Sequence, residues 1–82
     1  MNMLNKKIKV YSTPNCAQCY TLKGFLKKHN IEFEEVNIYE DKEAKEEMIK
    51  KSGQQNVPVM EIGDEIVIGF NKEKISKLLD IK

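Results

Sequence analysis

Tyr11-Ser12-Thr13-Pro14-Asn15-Cys16-Ala17-Gln18-Cys19 holds both cysteines of the chain, with two residues between them. Before the pair runs Ile8-Lys9-Val10-Tyr11, a strand-forming stretch; after it a helical pattern continues through Leu22, Phe25 and Leu26. The cysteines therefore stand at a strand-to-helix junction, which beside a βαβ pattern reads as a redox dithiol. Residues three apart on a helix share a face at about 5–6 Å, near the Cα separation a disulfide takes. With Cys16 at the helix start, unpaired backbone N–H groups and the positive end of the dipole favour its thiolate. Cys19, one turn further in, is expected to be more shielded and suited to resolving a mixed disulfide.

Three plainer readings compete. A static disulfide would close only a one-turn loop, which constrains the unfolded chain little, and nothing marks the chain as secreted. Half a zinc site would need more ligands, and the only other strong candidate is His29, two to three helical turns along. Inert core thiols are the third. No metal site is expected from this set.

Outward from the pair, 82 residues bound the chain to one small domain, residues 1–82, with a single modest core. Charged residues make up 33% of the chain, but the net charge is only +1 and the signs are interspersed. No polybasic tract points to nucleic acid or a membrane surface. Aromatic residues are 7% without tryptophan, which does not suggest a base-stacking platform. No segment is long and apolar enough to cross a bilayer, and residues 1–7 lack the apolar run of a signal peptide. A cytoplasmic monomer is expected, in a compartment that keeps dithiols reduced.

The order of elements follows from pattern and punctuation. Residues 7–12 form a first strand, central and parallel. Pro14 and Asn15 then break the chain, with Asn15 the expected helix cap. Helix one covers residues 16–29, its apolar side drawn from Ala17, Tyr20, Leu22, Phe25 and Leu26. His29 falls where a cation suits the helix C-terminus and reads as a surface residue. Residues 32–38 alternate imperfectly and read as a second strand at an edge. Helix two spans residues 41–52, with acidic residues first, Lys50 and Lys51 last and Gly53 as the stop. Its buried side is thin: Ala44, Met48 and Ile49. Strands at 59–62 and 65–68 flank a Gly63-Asp64 turn as a hairpin. Asn71 caps a last helix, residues 72–79, with Ile75, Leu78 and Leu79 in one stripe. The order βαβαββα predicts an α/β fold, a four-stranded mixed sheet flanked by three helices, with both early crossovers right-handed.

Taken whole, the chain resembles the glutaredoxin-like redoxins, whose minimal thioredoxin fold has this same order. The stretch from Tyr11 to Cys19 is similar to the active site of the subgroup that donates electrons to ribonucleotide reductase, where glutamine commonly precedes the second cysteine. Asn56-Val57-Pro58-Val59 matches the family's cis-proline segment, and Gly69-Phe70-Asn71-Lys72-Glu73 resembles the element that opens the last helix. The resemblance implies a cis Pro58 and a Val57 backbone that pairs with an extended substrate. An ordinary trans proline at an edge strand is the competing reading. It further implies that Gly69 and Phe70 shape the groove, while Thr13, Pro14 and Asn15 set the approach to Cys16.

The departures from the family carry information too. Typical members have proline and tyrosine between the cysteines, where this chain has Ala17 and Gln18. A lysine that helps to bind the glycyl carboxylate of glutathione is replaced by Thr13. A glycine pair admitting the γ-glutamyl end is replaced by Gly69-Phe70. Of the tryptophan-serine-glycine-phenylalanine-arginine-proline run of the reductase donors, only the glycine and phenylalanine remain. Glutathione is therefore not the expected preferred partner.

The resulting expectation is a dithiol–disulfide oxidoreductase in which Cys16 attacks and Cys19 resolves. Its partners would be protein disulfides, ribonucleotide reductase or a similar enzyme among them, and an upstream disulfide reductase. No bound cofactor is expected; electrons would come from a thioredoxin-reductase-type flavoprotein. Glutathione-dependent reduction is the competing enzyme reading. A different class of reading is a carrier, in which two chains hold an iron–sulfur cluster through four cysteine sulfurs.

Overall fold

The computed structural model describes residues 7–81; the expectation drawn from the first seven residues falls almost wholly outside that range. Its elements are β1 Ile8–Ser12, α1 Ala17–Lys28, β2 Glu34–Asn37, α2 Lys42–Ser52, β3 Val59–Ile62, β4 Glu65–Ile68 and α3 Lys72–Leu79. The sheet order is β2-β1-β3-β4. β1 is central and runs parallel to β2, while β1–β3 and β3–β4 are antiparallel. The expected mixed sheet, with β2 at an edge, is what forms. Only the first crossover joins parallel strands, so the handedness rule applies to it and not, as expected, to both.

Alternation along the strands sorts the core into two layers. Ile8 and Val10 of β1, Met60 and Ile62 of β3 and Val67 of β4 face α1 and α3, meeting Leu22, Leu26, Ile75 and Leu79. Tyr11 and Val59 face the other way, against Ile38 and Met48, with Ala44 and Ile66 packed beside them. Helices α1 and α3 thus cover one face and α2 the other. The period of two in a strand makes this division unavoidable once the sheet is central.

Local signals set most of the ends. The Asp41 side chain accepts from the Ala44 N–H at 3.1 Å and caps α2, which therefore starts one residue later than expected. Gly53 ends α2 with φ of 76°, a left-handed conformation that costs glycine nothing. Asn71 caps α3 as expected, accepting from the Lys74 N–H at 3.2 Å. Gly63 takes a positive φ at the first position of the two-residue hairpin turn.

Several boundaries and faces differ from expectation. β1 begins at Ile8 rather than Lys7, and β2 occupies residues 34–37 rather than 32–38, because only those residues find partners on β1. Tyr20 is 66% exposed rather than part of the apolar side of α1. Its neighbours at Cys19 and Leu22 take the buried face, and the Tyr20 ring lies outside under Lys23, with Nζ 4.9 Å from the ring centroid. Ile49 is likewise exposed, since Met48 is the one fully buried side chain of α2.

Candidate active site

β1 delivers the chain to the end of the sheet, and Pro14 and Asn15 turn it into α1. The N-cap of α1 is Cys16 itself, not Asn15, which is exposed in the turn. Cys16 has extended backbone, and its Sγ accepts from the Cys19 N–H at 3.1 Å. A cap normally uses an oxygen; a sulfur fills the role here because the same atom is joined to Cys19 one turn away. The two Cα atoms are 5.2 Å apart and the sulfurs form a disulfide. The Cys19 N–H thus points at the Cys16 sulfur, a placement that favours negative charge on a sulfur held there.

Exposure separates the two thiols. Cys16 is half-buried, whereas Cys19 is 1% exposed against the core. An incoming disulfide can meet only the first of them, because displacement at sulfur needs access to it.

Register brings the other expected residues to the same end. β1 and β3 pair Tyr11 with Val59, and β3 and β4 pair Val59 with Ile68. Carried one and two residues past the strands, these registers set Pro58 and Val57 opposite Ser12 and Thr13, and Gly69 opposite Pro58. The Gly69 N–H donates to the Pro58 carbonyl at 2.8 Å, which ties that row together. The Val57-Pro58 peptide is cis. Pro58 is buried and Val57 half-buried. Among the described residues, no intrachain hydrogen bond reaches the Val57 N–H or C=O. Thr13 is half-buried and Pro14 exposed at the turn. Phe70 is half-buried, its ring edge-on to Phe25 with centroids 5.6 Å apart. Phe70 is thereby fastened to α1.

Two features were not anticipated. Gln18 stands over the Gly69 turn, with its Oε1 4.0 Å from where a Cβ on Gly69 would lie. Its place between the cysteines was legible, but its reach across to β4 was not. Behind the redox loop, buried Ser12 donates to Glu35 of β2 at 3.2 Å, and Lys23 of α1 pairs with the same carboxylate. The Lys23 hydrogen bond holds the Glu35 carboxyl below its ordinary value, against the opposing effect of desolvation. β1, β2 and α1 are tied together just behind Cys16.

His29, the other candidate ligand, is the C-cap of α1 and packs on Phe25 at 4.6 Å between ring centroids. Among the described residues, no group of three or more His, Cys, Asp and Glu side chains gathers in metal-binding geometry. No helix among them is long and apolar enough to cross a membrane.

The glutaredoxin family model matches residues 8–67, from the start of β1 into β4. The chain belongs to the glutaredoxin family. A glutaredoxin-like 8.6 kDa protein in the rubredoxin operon of Clostridium pasteurianum is 47% identical over 73 residues, covering 89% of this chain and 97% of that one. A crystal structure of a thioredoxin-like protein superposes with a TM-score of 0.87 at 36% identity, covering 93% of this chain and 97% of that chain. The glutaredoxin-like NrdH-redoxin of Escherichia coli, described as having a thioredoxin-like activity profile, superposes with a TM-score of 0.78 at 29% identity, covering 88% and 93% of the two chains. The fold is accordingly thioredoxin-like, and this glutaredoxin relative is a thiol–disulfide oxidoreductase carrying its redox pair at Cys16 and Cys19.

Proposed function

We propose that this redoxin reduces disulfides in proteins, with Cys16 as nucleophile and Cys19 as resolving thiol. The Cys16 thiolate attacks one sulfur of the target, forming a mixed disulfide and expelling the other sulfur as a thiolate. Deprotonated Cys19 then attacks Cys16, the mixed disulfide breaks, and the Cys16–Cys19 disulfide forms. Two electrons pass to the target, which leaves with two thiols after taking up two protons; the redoxin thiols have lost both. The observation that carries this reading is the division of exposure, with a half-buried Cys16 held under the Cys19 N–H and a Cys19 shut into the core. Val57 supplies free backbone groups for an extended target segment, in the manner of an added strand. Gly69 and Phe70 form the opposite wall, and Thr13, Pro14 and Asn15 the approach. Substituting each cysteine tests the roles: Cys16→Ser should abolish reduction, while Cys19→Ser should accumulate mixed disulfides with protein targets. Trapping through Cys19 in the Cys16→Ser protein would reverse the assignment.

Electrons to restore the dithiol come, on this proposal, from a thioredoxin-reductase-type flavoprotein, with ribonucleotide reductase or a similar enzyme downstream. Support comes from similarity to the Escherichia coli NrdH-redoxin and from Thr13, Ala17-Gln18 and Phe70, which replace groups that the resemblance links to glutathione. Rates with glutathione and with a thioredoxin reductase, at matched physiological donor concentrations, decide the point. Thr13→Lys combined with Phe70→Gly should raise glutathione use. Faster turnover of the unmodified protein with glutathione would replace this reading by the ordinary glutaredoxin one.

A further inference from the structure

Lys23 is the first charged side chain after the cysteine pair, since residues 10–22 contain none. It stands two helical turns beyond Cys16 with Tyr20 between them, so the three share one stripe of α1. The rise of the helix puts the ammonium on the order of 10 Å from the Cys16 sulfur. Helical side chains lean toward the N-terminus, and Lys23 does so: its Nζ lies 4.9 Å from the centroid of the Tyr20 ring. The Tyr20 N–H in turn donates to the Cys16 carbonyl at 3.2 Å.

Glu35 of β2 answers that charge. It accepts hydrogen bonds from Lys23 and, at 3.2 Å, from the buried Ser12 hydroxyl. The Lys23 side chain is only 16% exposed, so water does little to dissipate its charge and the carboxylate does most of it. Lys27, one turn further along α1, adds a lesser attraction to Glu35. The other elements near Cys16 carry charges that are engaged elsewhere. Past the end of β2, Glu40 accepts from the Asn37 side chain at 3.0 Å and Asp41 from the Ala44 N–H at 3.1 Å. At the start of α3, Lys72 lies over the Phe25 ring, 5.9 Å from its centroid.

A positive charge near the first turn of α1 acts on Cys16 in the same sense as the helix dipole: it favours the thiolate. When the Cys16 thiolate and the Cys19 thiol close to a disulfide, the pair gives up two electrons and one proton. Stabilising that thiolate therefore stabilises the reduced state and makes the protein a weaker reductant. The opposite charges of one ion pair nearly cancel at Cys16, whereas a bare Lys23 has nothing to cancel it.

We infer that Glu35 is a positioning residue of the redox site, acting through Lys23: by balancing that cation it keeps a positive charge off the Cys16 sulfur and preserves the reducing strength of the pair. The inference rests on Cys16 being the attacking thiol, as read above, and adds what sets its charge.

The test compares the reduced full chain with Glu35→Gln, Lys23→Met and the double variant, their folding checked by circular dichroism. Iodoacetamide alkylation across pH, read at each cysteine by mass spectrometry, gives the ionisation of each thiol. Equilibration with a dithiothreitol redox buffer gives the potential. At low salt Glu35→Gln should raise the Cys16 ionisation constant about twofold to fourfold, the effect of one unit charge at that distance on a partly solvated surface. At about 30 mV per tenfold, the potential should rise by about 10–20 mV above the pH at which Cys16 ionises, and not below it. Lys23→Met should shift Cys16 the other way and by less, because Lys27 still attracts Glu35. The double variant should return close to the native protein. High sodium chloride should abolish the Glu35→Gln shift, since about 10 Å then exceeds the screening length severalfold. Loosened packing alone would move both single variants in the same direction and would not respond to salt in this way. An unshifted Cys16 in Glu35→Gln, shifts of the same sign in the two single variants, or a shift that survives high salt overturns the inference. If Cys19 ionises below Cys16 in the native protein, the assignment of the attacking thiol fails and the inference with it.

Discussion

Replacing Tyr11 by Phe removes one hydroxyl from the layer beneath α2 and leaves the ring in place. Tyr11 is 1% exposed, and its hydroxyl donates to Glu47 of α2 at 3.1 Å. Glu47 is also held by Lys51, which bridges on to Glu61 of β3 at 3.1 Å. A hydrogen bond to a charged group contributes about 1.5–3 kcal/mol. Glu47 is half-exposed and keeps Lys51, so the loss at neutral pH should lie nearer ~1 kcal/mol, a fall in Tm of about 4–8 °C. Burial first, and the Glu47 hydrogen bond second, push the Tyr11 hydroxyl from its ordinary 10.0 up to about 12. A group whose folded value is raised contributes stability that is complete below the unfolded value and lost as pH rises through the folded one. The native protein should therefore lose roughly 1–2 kcal/mol more than the Tyr11→Phe protein between pH 10 and 12, after discounting for solvent near Glu47. Urea denaturation followed by helical circular dichroism at pH 7, 9, 10 and 11 would show the two stabilities converging. A difference that stays constant over that range, or no difference at pH 7, would refute the reasoning.

Iodoacetamide should modify Cys16 of the reduced protein at least about tenfold faster than Cys19 near neutral pH, read by mass spectrometry; a faster Cys19 would contradict the exposure argument. Glu35→Gln should lower the Tm at pH 7, by an amount that shrinks as pH falls below 4.5. Lys23 depresses the Glu35 carboxyl below 4.5, so its stabilisation is present above that value and lost as pH falls through the folded one. Met48→Ala should cost about 2–3 kcal/mol in denaturant titrations, because Met48 is 0% exposed and is the fully buried side chain of α2. A cost under about 1 kcal/mol would mean that Ala44 and the exposed Ile49 hold α2 without it.

Much of this protein was determined within a few residues of each feature. Asp41 and Asn71 bond the N–H three residues on, and Gly53 takes the positive φ that ends α2. The cysteines are likewise related by one helical turn. Such interactions close over short loops, so residue type and spacing are enough to read them. The element order and the redox pair were therefore legible in the sequence, as was the family. Tertiary structure decided the rest. Whether Tyr20 belonged to the core depended on which face of α1 met the sheet, and β2 began only where β1 offered partners. Residue type suggested Asn15 as the cap, but the bond to Cys19 put a sulfur there instead. Gln18 reached the Gly69 turn, and Glu35 joined Ser12 to Lys23, because strand register and helix packing brought together residues far apart in the chain. Sequence spacing carries no distance between such residues; that distance exists only once the hydrogen-bonded sheet and the packing of helices on its two faces have set it.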